Sequence, residues 1–229
     1  MSRPYFASFD GPKATGKTTI LEDLATALRT DGRASVVQLC EKDLDPYRCD
    51  TLALIKESAS CPSEQLETLV CQRLADGRAW ITENVLTRVD PSSVVLIDRW
   101  YPSDAAFRRI IPFSQILAMN FDCGVWAPDL HIGVITVPEI SWDRAITRPR
   151  GLNSLVIHDF AEHVACTAAF DSAIADNGWF VCRNECSVSN ATNHILTAIY
   201  GHIGYPGGKP QNGQNRTVRP VEPSTASKQ

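Results

Sequence analysis

Apolar positions along the chain follow two rhythms, short solid runs and longer stretches at helical spacing, and their order predicts an α/β protein. Residues 4–9 (PYFASF) make a strand-like apolar run, and the following TTILEDLATALR puts Ile20, Leu21, Leu24, Ala27 and Leu28 on one helical stripe. That stripe stops near Asp31 and Gly32, a suitable helix end. Further strands are expected at 34–39, 94–97, 130–137 and 179–182, and helices at 62–87, 103–119, 138–147, 153–175 and 189–200. The 62–87 helix carries Leu66, Leu69, Val70, Leu74 and Ile81 at roughly helical spacing, interrupted at Gly77. The run VVLI before Asp98 is apolar throughout, as in parallel sheets covered on both faces. Strands alternating with helices therefore predict a parallel sheet between two helical layers, with ligands at the carboxyl ends of its strands.

Between the first strand and the first helix lies GPKATGKT, Gly11 to Thr18, which fits the phosphate-loop pattern GxxxxGK[ST] in the context that the pattern requires. Gly11, Pro12, Lys13, Ala14, Thr15, Gly16, Lys17, Thr18 and Thr19 are the expected cradle for the phosphates of ATP. Glycines let successive backbone N–H groups turn inward, and the positive end of the helix dipole adds to the attraction. Lys17 is suited to reach the β- and γ-phosphates, and Thr18 to ligate Mg²⁺. Asp98 and Arg99 at the end of the VVLI strand supply a second cluster: the acid to support the metal or orient an acceptor oxygen, the arginine to form a bidentate pair with phosphate.

Bulk properties narrow the class. The 229 residues hold one substantial core, read as a single catalytic domain over 1–203 with a lid at about 145–154. A net charge of −4, from 22 basic and 26 acidic residues, argues against a nucleic-acid-binding surface. Eight cysteines without a CxxC pair, no apolar run long enough to span a bilayer and no leader-like start point to a reduced, cytoplasmic protein without membrane attachment. The five histidines show no metal-ligand spacing. Residues 204–229, with four Gly and four Pro among 26, are expected to be a disordered tail.

The segment Asp98, Arg99, Trp100, Ser103, Ala106 and Phe107 resembles the DRY…S…A[YF] motif of the thymidylate kinase family of nucleoside monophosphate kinases. FDG at Phe9 to Gly11, CQR at Cys71 to Arg73 and PDLHIGVITVPEISWDR from Pro128 to Arg144 agree in order, so the resemblance covers about residues 4–200. It implies the three-layer P-loop NTPase fold with a five-stranded parallel sheet, transfer of the γ-phosphoryl of ATP with Mg²⁺, and a homodimer through the long helices. It also implies an acceptor site at Asp10, Leu69, Arg73, Arg99, Ser103 and Phe107, and lid arginines at Arg148 and Arg150 that neutralise charge on the transferred group. Lys17, Asp98, Arg99, Arg148 and Arg150 are then the catalytic set.

The chain departs from the family on the acceptor side. Lys13 stands where the family has an acid, CEKDLDPYRCD (40–50) replaces an REPGGT-like segment, Leu69 replaces an aromatic four residues before Arg73, and Arg108 stands for Gln or Thr. These changes point to an acceptor other than, or beyond, thymidylate. Two alternatives stay open: a nucleoside or small-metabolite kinase, and a regulatory module that binds nucleotide without transferring phosphate.

Overall fold

The computed structural model describes residues 3–108, 110–149, 151–185 and 187–204; the tail expected at 204–229 lies outside them apart from Gly204. Five strands form one parallel sheet: β1 (Tyr5–Asp10), β2 (Val36–Cys40), β3 (Val94–Asp98), β4 (Leu130–Ile135) and β5 (Phe180–Arg183), in the order β2-β3-β1-β4-β5. This is the five-stranded, doubly covered architecture that the pattern predicts. Helices α1 (Lys17–Asp31), α2 (Glu41–Leu44), α3 (Arg48–Ser60), α4 (Glu64–Asn84), α5 (Asp104–Phe107), α6 (Phe113–Asp122), α7 (Pro138–Thr147), α8 (Phe160–Asn177) and α9 (Val188–Ile203) surround it.

The period-2 alternation of strand side chains sorts the core into two layers. Ala7 and Phe9 of β1 point to the face covered by Ile20 and Leu24 of α1 and Ile195 and Ile199 of α9. Phe6 of β1 with Val95 and Ile97 of β3 points to the opposite face, where Ile81 of α4 and Trp100 pack. The order brings β1 and β3 side by side in the centre, with Phe9 level with Asp98. Thus the phosphate loop after β1 and the acid at the end of β3 emerge as neighbours.

Three expectations fail locally, each for a visible reason, and one pair of helices was not foreseen. Helix 103–119 is two pieces, a 3-10 turn running into α5 and then α6, because Pro112 cannot donate a backbone N–H and disfavours helical backbone at Ile111. The helix placed at 153–175 starts at Phe160, where Asp159 caps it by accepting from the Glu162 N–H at 2.8 Å and Glu162 accepts in return from the His158 N–H. Gly77 does not break α4. The Asp45 carboxylate lies where its side chain would be, 2.6 Å from a Cβ built there, so the glycine is a contact point for the α2–α3 corner. Finally, 41–60 forms two helices that no clear apolar stripe announced, and only Glu41 of α2 and Thr51 of α3 are buried.

His131 on β4 gives the core a pH dependence. It is wedged between Tyr101 and Trp179, its Nε2 lies 3.3 Å from the Tyr101 hydroxyl, and its Nδ1 is buried without a partner. Burial holds its pKa down at about 4. The unfolded chain therefore takes up the proton first, and stability is lost as pH falls from about 6.5 towards 4. Urea unfolding should show His131→Phe losing about 2 kcal/mol less than the parent between pH 7 and 4.5. Parallel curves would rule this titration out.

Candidate functional site

The phosphate loop, Asp98 and Arg99 come together at the carboxyl ends of the strands. The loop from Gly11 to Gly16 turns through left-handed backbone at Gly11 (φ 142°), Ala14 (φ 60°) and Gly16 (φ 93°), so that it doubles back before α1 begins at Lys17. Side chains are excluded at both glycines. A Cβ on Gly11 would sit 2.4 Å from the Val134 carbonyl oxygen, and one on Gly16 would sit 2.2 Å from the Asn184 amide nitrogen. Asn184, at the end of β5, donates from that amide to the Thr15 carbonyl at 2.8 Å and from its own N–H to the Ile135 carbonyl at 2.9 Å, which ties the loop to the sheet. No side-chain cap occupies the start of α1, leaving its first N–H groups turned towards the loop.

Lys17 is buried and folds back over the loop, donating to the carbonyls of Pro12 at 2.5 Å and Gly11 at 3.1 Å. Desolvation, then the nearby Arg99 guanidinium, push its pKa well below the usual lysine value; Asp98 and Asp10 pull it back up. A phosphate in the loop would meet a cation held at its edge by weak carbonyl acceptors. The Thr18 hydroxyl donates to Asp98 at 2.7 Å. A hydroxyl and a carboxylate in contact beside a phosphate cradle form the hard oxygen set that a magnesium ion takes. Thr19, one residue on, is exposed.

Arg99 sits at φ 72°, its guanidinium 5.0 Å from the centre of the Phe107 ring and 3.4 Å from the Gly11 carbonyl. Asp10 and Ser103 are both buried, and the Ser103 hydroxyl turns inward to donate to the Asp10 carboxylate at 2.7 Å. Burial raises the Asp10 carboxyl to about 6, against hydrogen bonds that lower it.

Arg148, just after α7, turns its guanidinium onto the carbonyls of Gly151 at 2.8 Å and Leu152 at 3.1 Å, so it shapes the expected lid segment. Lys13 donates to the carbonyl of Asn153 in the same segment, joining phosphate loop and lid. Arg150 lies outside the described residues. Arg108 lines a groove of about 630 Å³ between α5, α6 and α8, where its Nε is buried without a partner.

Two expected acceptor residues are elsewhere. Arg73 stacks on Tyr47 at 5.0 Å and lies 3.8 Å from Asp76, while Leu69 is 46% exposed on the surface of α4. The arginine of α4 that reaches the strand ends is Arg78, five residues later. It is 1% exposed and donates to Glu41 at 2.6 Å, Asp104 at 2.7 Å and Asn120 at 3.3 Å. Helical geometry separates the two arginines, since five residues turn the side chain through about 500° and so onto another face. Arg78 and Asn184 carried no motif of their own. The 40–50 segment, a departure from the family pattern, supplies Glu41.

No family model matches the chain. It is 26% identical over 162 residues to a thymidylate kinase of Staphylococcus haemolyticus, spanning 69% of this chain and 77% of that one. Over 156 residues it is 28% identical to a thymidylate kinase of Leuconostoc mesenteroides, spanning 66% and 72%. The crystal structure of thymidylate kinase from Ehrlichia chaffeensis covers 86% of this chain and 98% of its own, with a TM-score of 0.59 at 15% identity, a likeness of fold.

Proposed function

We propose, for a chain that belongs to the thymidylate kinase family and is accordingly a nucleoside monophosphate kinase, that the reaction is transfer of the γ-phosphoryl group of ATP to a nucleoside monophosphate that is not, or not only, thymidylate. The observation that carries this reading is the contact of Thr18 with Asp98, which faces a complete phosphate loop onto the acid and arginine at the end of β3.

The loop from Gly11 to Thr19 would hold the ATP phosphates through backbone N–H groups and Lys17. Thr18 and Asp98 would hold Mg²⁺, which when bound neutralises and orients phosphate oxygens. Arg99 would take the acceptor phosphate, with Phe107 and Ser103 beside it, and Arg148 would bring further positive charge from the lid side. Such a site works by positioning and by charge neutralisation, without a covalent enzyme intermediate. The altered acceptor rests on Lys13, which replaces an acid of the family pattern with a cation engaged to the lid, and on the buried cluster in which Arg78 of α4 meets Glu41 of α2 and Asp104 of α5.

An ATP-to-ADP turnover assay with Mg²⁺ against a panel of nucleoside monophosphates, free nucleosides and a no-acceptor control tests the reading. A monophosphate other than thymidylate should give the highest kcat/KM, and Arg148→Ala should lower kcat by about 10²-fold or more. Selective turnover of thymidylate alone would remove the altered acceptor. ATP binding without turnover of any monophosphate would remove the enzyme reading.

A further inference from the structure

We infer that Asp10 is a positioning residue for phosphoryl transfer: it locks the 100–103 turn so that Arg99, held in left-handed backbone, points its guanidinium at the phosphate loop. The inference rests on the reading of the chain as a phosphotransferase. Resemblance alone placed Asp10 in contact with the acceptor, but the side chain is 1% exposed and bonds to Trp100 and Ser103. A single oxygen, Oδ1, accepts from the Trp100 N–H at 2.8 Å, the Ser103 N–H at 3.1 Å and the Ser103 hydroxyl at 2.7 Å.

These three bonds fasten the residues on the carboxyl side of Arg99. On its amino side the Arg99 N–H donates to the Phe9 carbonyl at 3.0 Å. Left-handed backbone is costly for a non-glycine residue and persists only where the surroundings over-determine it. Here β1 does so from both sides, through Phe9 and Asp10, consecutive residues of the strand that leads into the phosphate loop. The loop and the arginine that faces it are therefore indexed to the same strand end. Without the bonds at 100–103, Arg99 is free to relax to negative φ, which swings its side chain away from the Gly11 carbonyl and the Phe107 ring.

The test is steady-state kinetics on the full chain for the parent, Asp10→Ala, Asp10→Asn, Arg99→Ala and the Asp10→Ala/Arg99→Ala double variant, with melting temperatures alongside. Asparagine keeps an acceptor oxygen in the Oδ1 place. Asp10→Ala should lower kcat/KM for the acceptor by about 10²-fold, as a misplaced group of this kind does, with KM for ATP within about twofold. Asp10→Asn should recover all but about tenfold of the loss. On the Arg99→Ala background Asp10→Ala should cost little more, because both changes remove one interaction. The inference falls if the two losses multiply in full, or if a folded Asp10→Asn is as impaired as Asp10→Ala. A loss confined to melting temperature would also overturn it. A parent without turnover on any monophosphate would instead refute the phosphotransferase reading beneath it.

Discussion

Replacing Lys17 by methionine should abolish phosphoryl transfer, with kcat down at least about 10³-fold, while leaving the fold as stable as before or more so. The two halves have one cause. Lys17 is a buried cation whose acceptors are the uncharged carbonyls of Gly11 and Pro12, and whose pKa is pulled down by desolvation first and then by Arg99. Removing it discards a desolvation cost and leaves two carbonyls that need only weak acceptor satisfaction, and methionine fills the same volume. What disappears is the positive charge inside the loop that developing phosphate charge requires, since the loop's other lysine, Lys13, is joined to the Asn153 carbonyl. A coupled assay for ADP and a thermal melt together decide it. Turnover within about tenfold of the parent would mean that phosphate charge is neutralised elsewhere, and the loop assignment would fail.

The parts legible in the sequence were those with a strict local rule. GPKATGKT could be read because a phosphate loop needs glycine where backbone is left-handed or crowded, and the structure puts φ 142° and φ 93° at Gly11 and Gly16. Strands β1 and β3 were legible because burial on both faces demands unbroken apolar runs. The buried cluster around Arg78 was not. Arg73 and Arg78 share a helix, and choosing between them depends on which face of α4 meets the sheet, a decision made by Ile81, Val70 and Leu74 together with the corner at Asp45 that presses on Gly77. Glu41 and Asp104 belong to two helices of 4 residues each, too short for a periodic pattern to mark them. Asn184 acts through a backbone carbonyl 169 residues away, a contact that no spacing rule encodes. The start of α8 is legible in the spacing of Asp159 and Glu162, which is that of a capping pair.

Arg78→Met should destabilise the protein by about 3–5 kcal/mol near neutral pH, the largest effect on folding among single substitutions at this site. The guanidinium is buried between two carboxylates, Glu41 at 2.6 Å and Asp104 at 2.7 Å, whose side chains are 12% and 6% exposed. Burial already raises the Glu41 pKa, and Arg78 is the principal group opposing that rise. Deleting the arginine leaves two like charges facing each other out of water, and the folded state then holds protons more tightly than the unfolded chain does. The loss should therefore shrink as pH falls and the carboxyls protonate, so that urea midpoints of variant and parent draw together between about pH 8 and pH 5. Neutralising the partners as well, in Arg78→Met/Glu41→Gln/Asp104→Asn, should recover most of the stability, since a buried ionic cluster is costly mainly when it is left incomplete. If the single variant unfolds at the parent's midpoint at pH 8, the cluster is not desolvated and α4 is not anchored to the strand ends through Arg78. If the triple variant is stable yet phosphorylates no monophosphate, the same cluster is shown to shape the acceptor site as well as the fold.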